Sequence, residues 1–253
     1  MNHNQNKPAF FTKKRVILIL IFTNLIAVLL LLNIQYNISK VKKQRQLELS
    51  YLDTLKYDDN PLYTEQTQLF EIYKTQKVNI VMLGSSFTQR VNWNELLERN
   101  DVANRGIGSD VSEGYLHRIN SVLNLKPVIC FIEIGANDII KNVPVATIFT
   151  NTNSILENLM HAVPFYFVTK CFYAAETFPG YESYNLKADS LNSIFDKQLD
   201  KSVLIDINPQ ISENGKRKQE YALKDGIHLN AKAYLVWKKE IERVLLEKKI
   251  AAQ

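Results

Sequence analysis

Five short apolar runs, separated by stretches of helical spacing, constrain this chain most. The runs occupy 78–83, 102–104, 128–134, 165–172 and 203–207. Apolar residues recur three and four apart in 93–98, 112–123, 145–162 and 183–201 between them, and in 231–249 after them. Continuous apolar strands linked by helices predict a parallel sheet buried on both faces. The expected fold is therefore α/β: a three-layer α/β/α, flavodoxin-like domain with a five-stranded parallel sheet. Such sheets bind ligands outside the carboxyl ends of their strands. The residues that follow each run thus matter most for function.

Four stretches stand at that edge. The first run, VNIVML, ends in Gly84-Ser85-Ser86. The second is followed by Asn104-Arg105-Gly106-Ile107-Gly108-Ser109-Asp110, the third by Gly135-Ala136-Asn137-Asp138, and the last by Asp225-Gly226-Ile227-His228. Each has a plain structural alternative. Ser86 or Thr88 could serve only as a helix N-cap. The Gly-rich stretch could be a turn, and it lacks the third glycine of a dinucleotide fingerprint. GAND could be an Asx-turn, and DGIH a tight turn with an incidental histidine. Any one stretch alone favours the plain alternative; their common placement after successive strands favours a site.

An apolar run at the other end of the chain bounds localisation. Residues 16–32, VILILIFTNLIAVLLLL, carry no charge, and Asn33 and Ile34 can extend them. A bilayer takes about 20 such residues, with a tolerated minimum of about 17. A cleaved signal peptide is the competing reading, but LNIQYNIS after the run offers no small-x-small cleavage site. The expected organisation is a basic tail (1–15), a transmembrane anchor (16–34), a connector with a helix (35–77) and a globular domain (78–250). In the connector, Asp58-Asp59-Asn60-Pro61 reads as a breaker, and a helix capped by Thr64 or Thr67 is expected to pack on the domain. Basic residues lie on both sides of the run, so orientation is weakly specified. The commoner outcome puts the domain outside the cytoplasm, periplasmic or at the cell surface.

The net charge of +5 does not indicate nucleic acid. Lys238, Lys239, Arg243, Lys248 and Lys249 alternate with Glu240, Glu242 and Glu247, as on a solvated helix face. Cys130 and Cys171 lie in apolar runs with neither metal-ligand nor disulfide spacing. No metal or cofactor is expected. His3, His117 and His161 have no partner motif, and Asp138 is expected to orient its loop and not to act as a base.

Taken together, the four stretches resemble the SGNH superfamily of GDSL-type hydrolases, from about residue 78 to the final helix. That family carries a serine in its first block, a glycine in its second, the asparagine of G-x-N-D in its third and D-x-x-H in its last. The matching positions are Ser86, the turn at Gly108-Ser109, Asn137, and Asp225 with His228. The third and last blocks match fully, and HLNAKAYLVW continues the last. NRGIG is similar to the second block of the platelet-activating-factor acetylhydrolase branch and of bacterial relatives. Two positions depart: Ser85 stands where the family usually has Asp, and Ser109 where it usually has Gly. The nucleophile elbow G-x-S-x-G is absent, which disfavours the α/β-hydrolase fold.

The resemblance implies a serine esterase, and elementary chemistry assigns the same roles. A serine hydroxyl needs a general base, which His228 can supply. Asp225, three residues upstream, can hold the far imidazole nitrogen and fix its tautomer. The N–H groups of Ser86 and Ser109 and the Asn137 amide are the expected oxyanion donors. The expected substrate is a small ester or an acylated glycan or lipid. An O-acyltransferase acting on an envelope polysaccharide would use the same triad, and a degenerate binding or scaffold domain is the non-enzymatic alternative. The loop 173–184, YAAETFPGYESY, is a candidate for lining the substrate pocket.

Overall fold

The computed structural model describes residues 13–52, 56–73 and 78–251. The chain divides into two compact units, Met1–Leu52 and Asp53–Gln253. The expected tail 1–15 falls, up to residue 12, outside the described residues, and His3 with it.

The described residues of the first unit form one helix, α1 (Lys13–Leu52), of 40 residues. Its stretch Arg15–Lys43 spans 29 residues with mean hydropathy 2.8, long and apolar enough to cross a membrane. Its polar side chains bond back onto the helix. Thr23 Oγ1 and Asn24 Nδ2 donate to the Leu20 carbonyl at 3.0 and 2.8 Å, which relieves the cost of polar groups in an apolar medium. The helix outruns the expected 16–34 because neither Gly nor Pro interrupts 16–52.

The second unit begins with a 3₁₀ turn (Tyr57–Asp59) and α2 (Pro61–Ile72). The Asn60-Pro61 pair, expected to break structure, starts this helix. The Asn60 side chain accepts from Leu62 N, and Pro61 takes the first helical position, where its missing N–H costs nothing. Then come β1 (Ile80–Gly84), α3 (Ser86–Gln89), α4 (Trp93–Leu96), β2 (Val102–Gly106), α5 (Ser112–His117), α6 (Asn120–Leu123), β3 (Ile129–Glu133), α7 (Ala136–Ile140) and α8 (Val145–Met160). β4 (Phe165–Thr169), α9 (Tyr181–Gln198), β5 (Leu204–Ile205), α10 (Asn208–Ile211), β6 (Ser212–Glu213), β7 (Lys216–Arg217) and α11 (Ala231–Glu247) complete it.

The five expected strands form one sheet in the order β2-β1-β3-β4-β5, with every pairing parallel. This is the flavodoxin-like order, in which the strand sequence reverses around β1 and opens a crevice at its carboxyl end. The β1 and β3 strands are buried along their whole lengths, which explains why they read as unbroken apolar runs. An aromatic cluster ties the last helix to the turn after β1. Trp93 and Phe172 meet Trp237 of α11 edge-on at 5.2 and 5.1 Å, and Phe87 meets Phe172 at 5.3 Å.

Two local features differ from expectation. The helix expected over 112–123 is broken between α5 and α6 at Arg118, whose buried side chain turns inward. The segment after β5, where no strand is expected, folds into the antiparallel β6–β7 hairpin. Its turn residues, Asn214 and Gly215, have φ of 51° and 71°. Asn-Gly is the sequence signal for such a two-residue turn.

Candidate active site

Gly84 closes β1 at a crowded point. A Cβ there would lie 2.1 Å from Thr88 Oγ1 and 2.9 Å from Glu133 Oε2. The chain then turns directly into α3, with Ser85 as its N-cap and Ser86 as its first residue. Ser86 Oγ stands 3.0 Å from Nε2 of His228. On the far side of the ring, Nδ1 lies 2.7 Å from Oδ2 of Asp225. The other carboxylate oxygen, Oδ1, accepts the backbone N–H groups of Ile227 and His228, both at 3.0 Å. Burial pushes the Asp225 carboxyl up, but the hydrogen bonds from the His228 backbone and ring outweigh it and hold the group below its ordinary range. Gly226 makes this turn possible: its φ is 75°, and a Cβ would meet Phe178 N at 2.2 Å.

The second and third blocks supply polar hydrogens beside Ser86. Ser109 is exposed and holds φ of 60°, a left-handed conformation that serine seldom adopts. Among the described residues, the N–H groups of Ser86 and Ser109 donate to no protein acceptor. Asn137 follows Gly135, whose φ of 105° starts α7. One Asn137 amide hydrogen goes to the Asp110 carbonyl at 2.9 Å; an amide carries two, so one remains. Ser86, Ser109, Asn137 and His228 share one cavity of about 370 Å³, with Leu62 and Ile140 among its apolar lining. All five candidate residues are thus brought together, with Asp225 behind His228. A cavity of about 760 Å³ beside α2, lined by Tyr63, Phe70, Arg105 and His117, contains none of them.

Residues that did not stand out in the sequence support this geometry. Glu133, fully buried at the end of β3, accepts from the N–H of Ser85 at 2.9 Å and from its hydroxyl at 2.8 Å. Burial pushes its carboxyl up to about 7, against the lowering effect of those hydrogen bonds. A charge inside an otherwise apolar strand is the signal that marks it. Arg118 binds Asp110 Oδ2 at 2.7 Å, the Arg105 carbonyl at 2.8 Å and the Gly84 carbonyl at 3.1 Å, so it links the first and second blocks. Arg217, on the unexpected hairpin, donates to the Ile227 carbonyl at 2.7 Å, next to His228. Its guanidinium also lies 5.9 Å from the Phe87 and Phe172 ring centres.

Other candidates have structural roles or none at the site. Asp138 is buried and accepts from the N–H of Ser112 at 3.1 Å and from its hydroxyl, joining α7 to α5. Burial pushes it up to about 6. Cys130 and Cys171 are free and buried, and burial pushes both thiols up. His117 stacks on Tyr57 at 4.3 Å, away from Ser86. Among the described residues, no group of three His, Cys, Asp or Glu side chains is placed to hold a metal ion.

Comparison with known proteins gives a family match and a shared fold. The model of the GDSL-like Lipase/Acylhydrolase family matches residues 82–236. No curated protein matches the sequence. Several solved structures share the fold. One, from Streptococcus pneumonia and described as a platelet activating factor, is 22% identical with a TM-score of 0.64, covering 81% of this chain and 99% of that one. A GDSL-like lipase from Bacteroides thetaiotaomicron is 19% identical with a TM-score of 0.62, covering 74% and 98%. A lipase/acylhydrolase from Enterococcus faecalis is 22% identical with a TM-score of 0.56, covering 68% and 96%.

Proposed function

The chain belongs to the GDSL-like lipase/acylhydrolase family, a family of ester-bond hydrolases, and from that premise we propose that it is a membrane-anchored serine esterase acting through an acyl-enzyme. The observation that carries this reading is the relay from Ser86 Oγ through His228 to Asp225, at 3.0 and 2.7 Å. His228 takes the Ser86 proton as Oγ attacks the ester carbonyl, and Asp225 holds the imidazole and stabilises its charged form. The N–H groups of Ser86 and Ser109 and the free Asn137 amide hydrogen receive the oxyanion. Collapse expels the alcohol, which takes the proton from His228. Water activated by the same imidazole then releases the acid and restores Ser86.

A cavity of about 370 Å³ suits a small acyl group, so an acetyl or short acyl ester on a glycan or lipid is the substrate class we assign. Residues 16–34 are the anchor and 78–250 the catalytic domain, facing away from the cytoplasm. The length and hydropathy of Arg15–Lys43 support anchoring. The test is hydrolysis of an aryl acetate by the full chain in detergent, beside Ser86→Ala and His228→Ala. Turnover lost in both variants supports the esterase. Acyl transfer to an added polysaccharide, in place of release as free acid, would replace it with the acyltransferase reading. A folded protein with neither activity nor Ser86 reactivity would replace it with a binding domain.

A further inference from the structure

We infer that Asn60, from the segment preceding the sheet, is a positioning residue for the oxyanion site. The inference rests on the esterase reading above. Asn60 lies outside the stretch matched by the family model, which begins at residue 82.

The argument starts from the strain at Ser109. A residue with a Cβ is strained in the left-handed region, so the turn needs holding. The preceding residue, Gly108, is held at both of its peptide groups. Asn60 Nδ2 donates to the Gly108 carbonyl at 2.7 Å, in a buried contact, and Gln89 Oε1 accepts the Gly108 N–H at 2.8 Å. The Gly108–Ser109 peptide is planar and trans, so its C=O and N–H point in opposite directions. Fixing the Gly108 oxygen on Asn60 therefore aims the Ser109 N–H away from α2. Ser109 and Ser86 line the same cavity, and among the described residues the Ser109 N–H has no protein acceptor.

Asn60 is itself fixed. Its Oδ1 caps α2 by accepting Leu62 N at 3.1 Å, which leaves Nδ2 to face Gly108. Tyr63 Oη binds the Gly114 carbonyl at 3.2 Å, and Arg105 lies 4.6 Å from the Phe70 ring centre, so α2 docks through contacts independent of Asn60. Leu62, two residues on, lines the catalytic cavity. The pre-sheet segment is thus part of the active site and not only a tether to the first helix.

The test uses the full chain in detergent. Asn60→Ser keeps a capping oxygen but is too short to reach Gly108; Asn60→Asp, assayed near pH 8, keeps the cap and loses the donor. Tyr63→Phe removes a docking hydrogen bond without touching Gly108. We expect kcat, and the rate of Ser86 phosphonylation by a fluorophosphonate, to fall ~10- to 100-fold in both Asn60 variants, part of what losing a whole oxyanion donor costs. KM is expected to stay within about threefold, and Tyr63→Phe to retain kcat. Wild-type rates in the Asn60 variants, or an equal fall in Tyr63→Phe, would overturn the inference while leaving the esterase reading intact. Failure of the wild-type chain to react at Ser86 would overturn both.

Discussion

A single carboxylate oxygen, Glu133 Oε2, accepts both the backbone N–H and the hydroxyl of Ser85, at 2.9 and 2.8 Å. The Ser85 hydroxyl thus donates to a buried carboxylate, a bond that an ionised aspartate side chain could not make. An aspartate there would set a second carboxylate against a buried one. Ser85→Asp is expected to destabilise the fold by about 3 kcal/mol, the scale of an unpaired buried charge. Combining it with Glu133→Gln should recover most of the loss. Urea unfolding of the single and double variants measures the coupling.

Glu133 also makes stability depend on pH. Its folded pKa of about 7 lies above the ordinary 4.5, so the native state holds this proton more tightly than the unfolded chain does. The resulting stabilisation is complete below about 4.5 and is lost as pH rises through about 7. The slope per proton reaches at most ~1.4 kcal/mol per pH unit. Asp138, pushed up to about 6, acts in the same direction. Wild type should lose stability relative to Glu133→Gln between about pH 5 and about pH 8, read from urea midpoints. A constant difference across that range would contradict the assignment.

Asp225 binds both the His228 ring and its backbone, yet its side chain is 45% exposed. Asp225→Asn keeps the shape but can stabilise the wrong imidazole tautomer. A fall in kcat of ~100- to 10,000-fold with little change in KM is expected, the upper figure being that of a deeply buried triad aspartate. Steady-state kinetics on an aryl ester tests this directly.

Arg118 and Asp110 form an ion pair at 2.7 Å, with side-chain exposures of 2% and 0%. Removing one partner strands the other. Arg118→Met or Asp110→Asn should each cost ~3–5 kcal/mol. The double variant should cost less than the sum, as thermal or urea unfolding would show.

The parts of this protein that are local in sequence were legible there. Each apolar run became a strand, because burial on both faces leaves a continuous signal. Ser86 and Asn137 are marked by short motifs at strand ends, and Asp225 and His228 by D-x-x-H, which closes its own contact within one turn. What stayed hidden depends on partners far along the chain. Glu133 acquires its role only when β3 lies beside β1, and the helix break at Arg118 comes from bonds to Gly84, Arg105 and Asp110. Asn60 looked like a breaker because its partner, Gly108, is 48 residues away. The β6–β7 hairpin did have a local signal in Asn214-Gly215, but its strands are only two residues each, too short for alternation to register.

The central claim is that Ser86 is a nucleophile activated by His228. The most direct measurement is intact mass and peptide mapping of the full chain after reaction with a fluorophosphonate. One adduct on the peptide carrying Ser86 is expected in wild type, none in Ser86→Ala, and strongly slowed labelling in His228→Ala. A folded wild-type chain that stays unmodified, or carries the adduct on another residue, would contradict the claim.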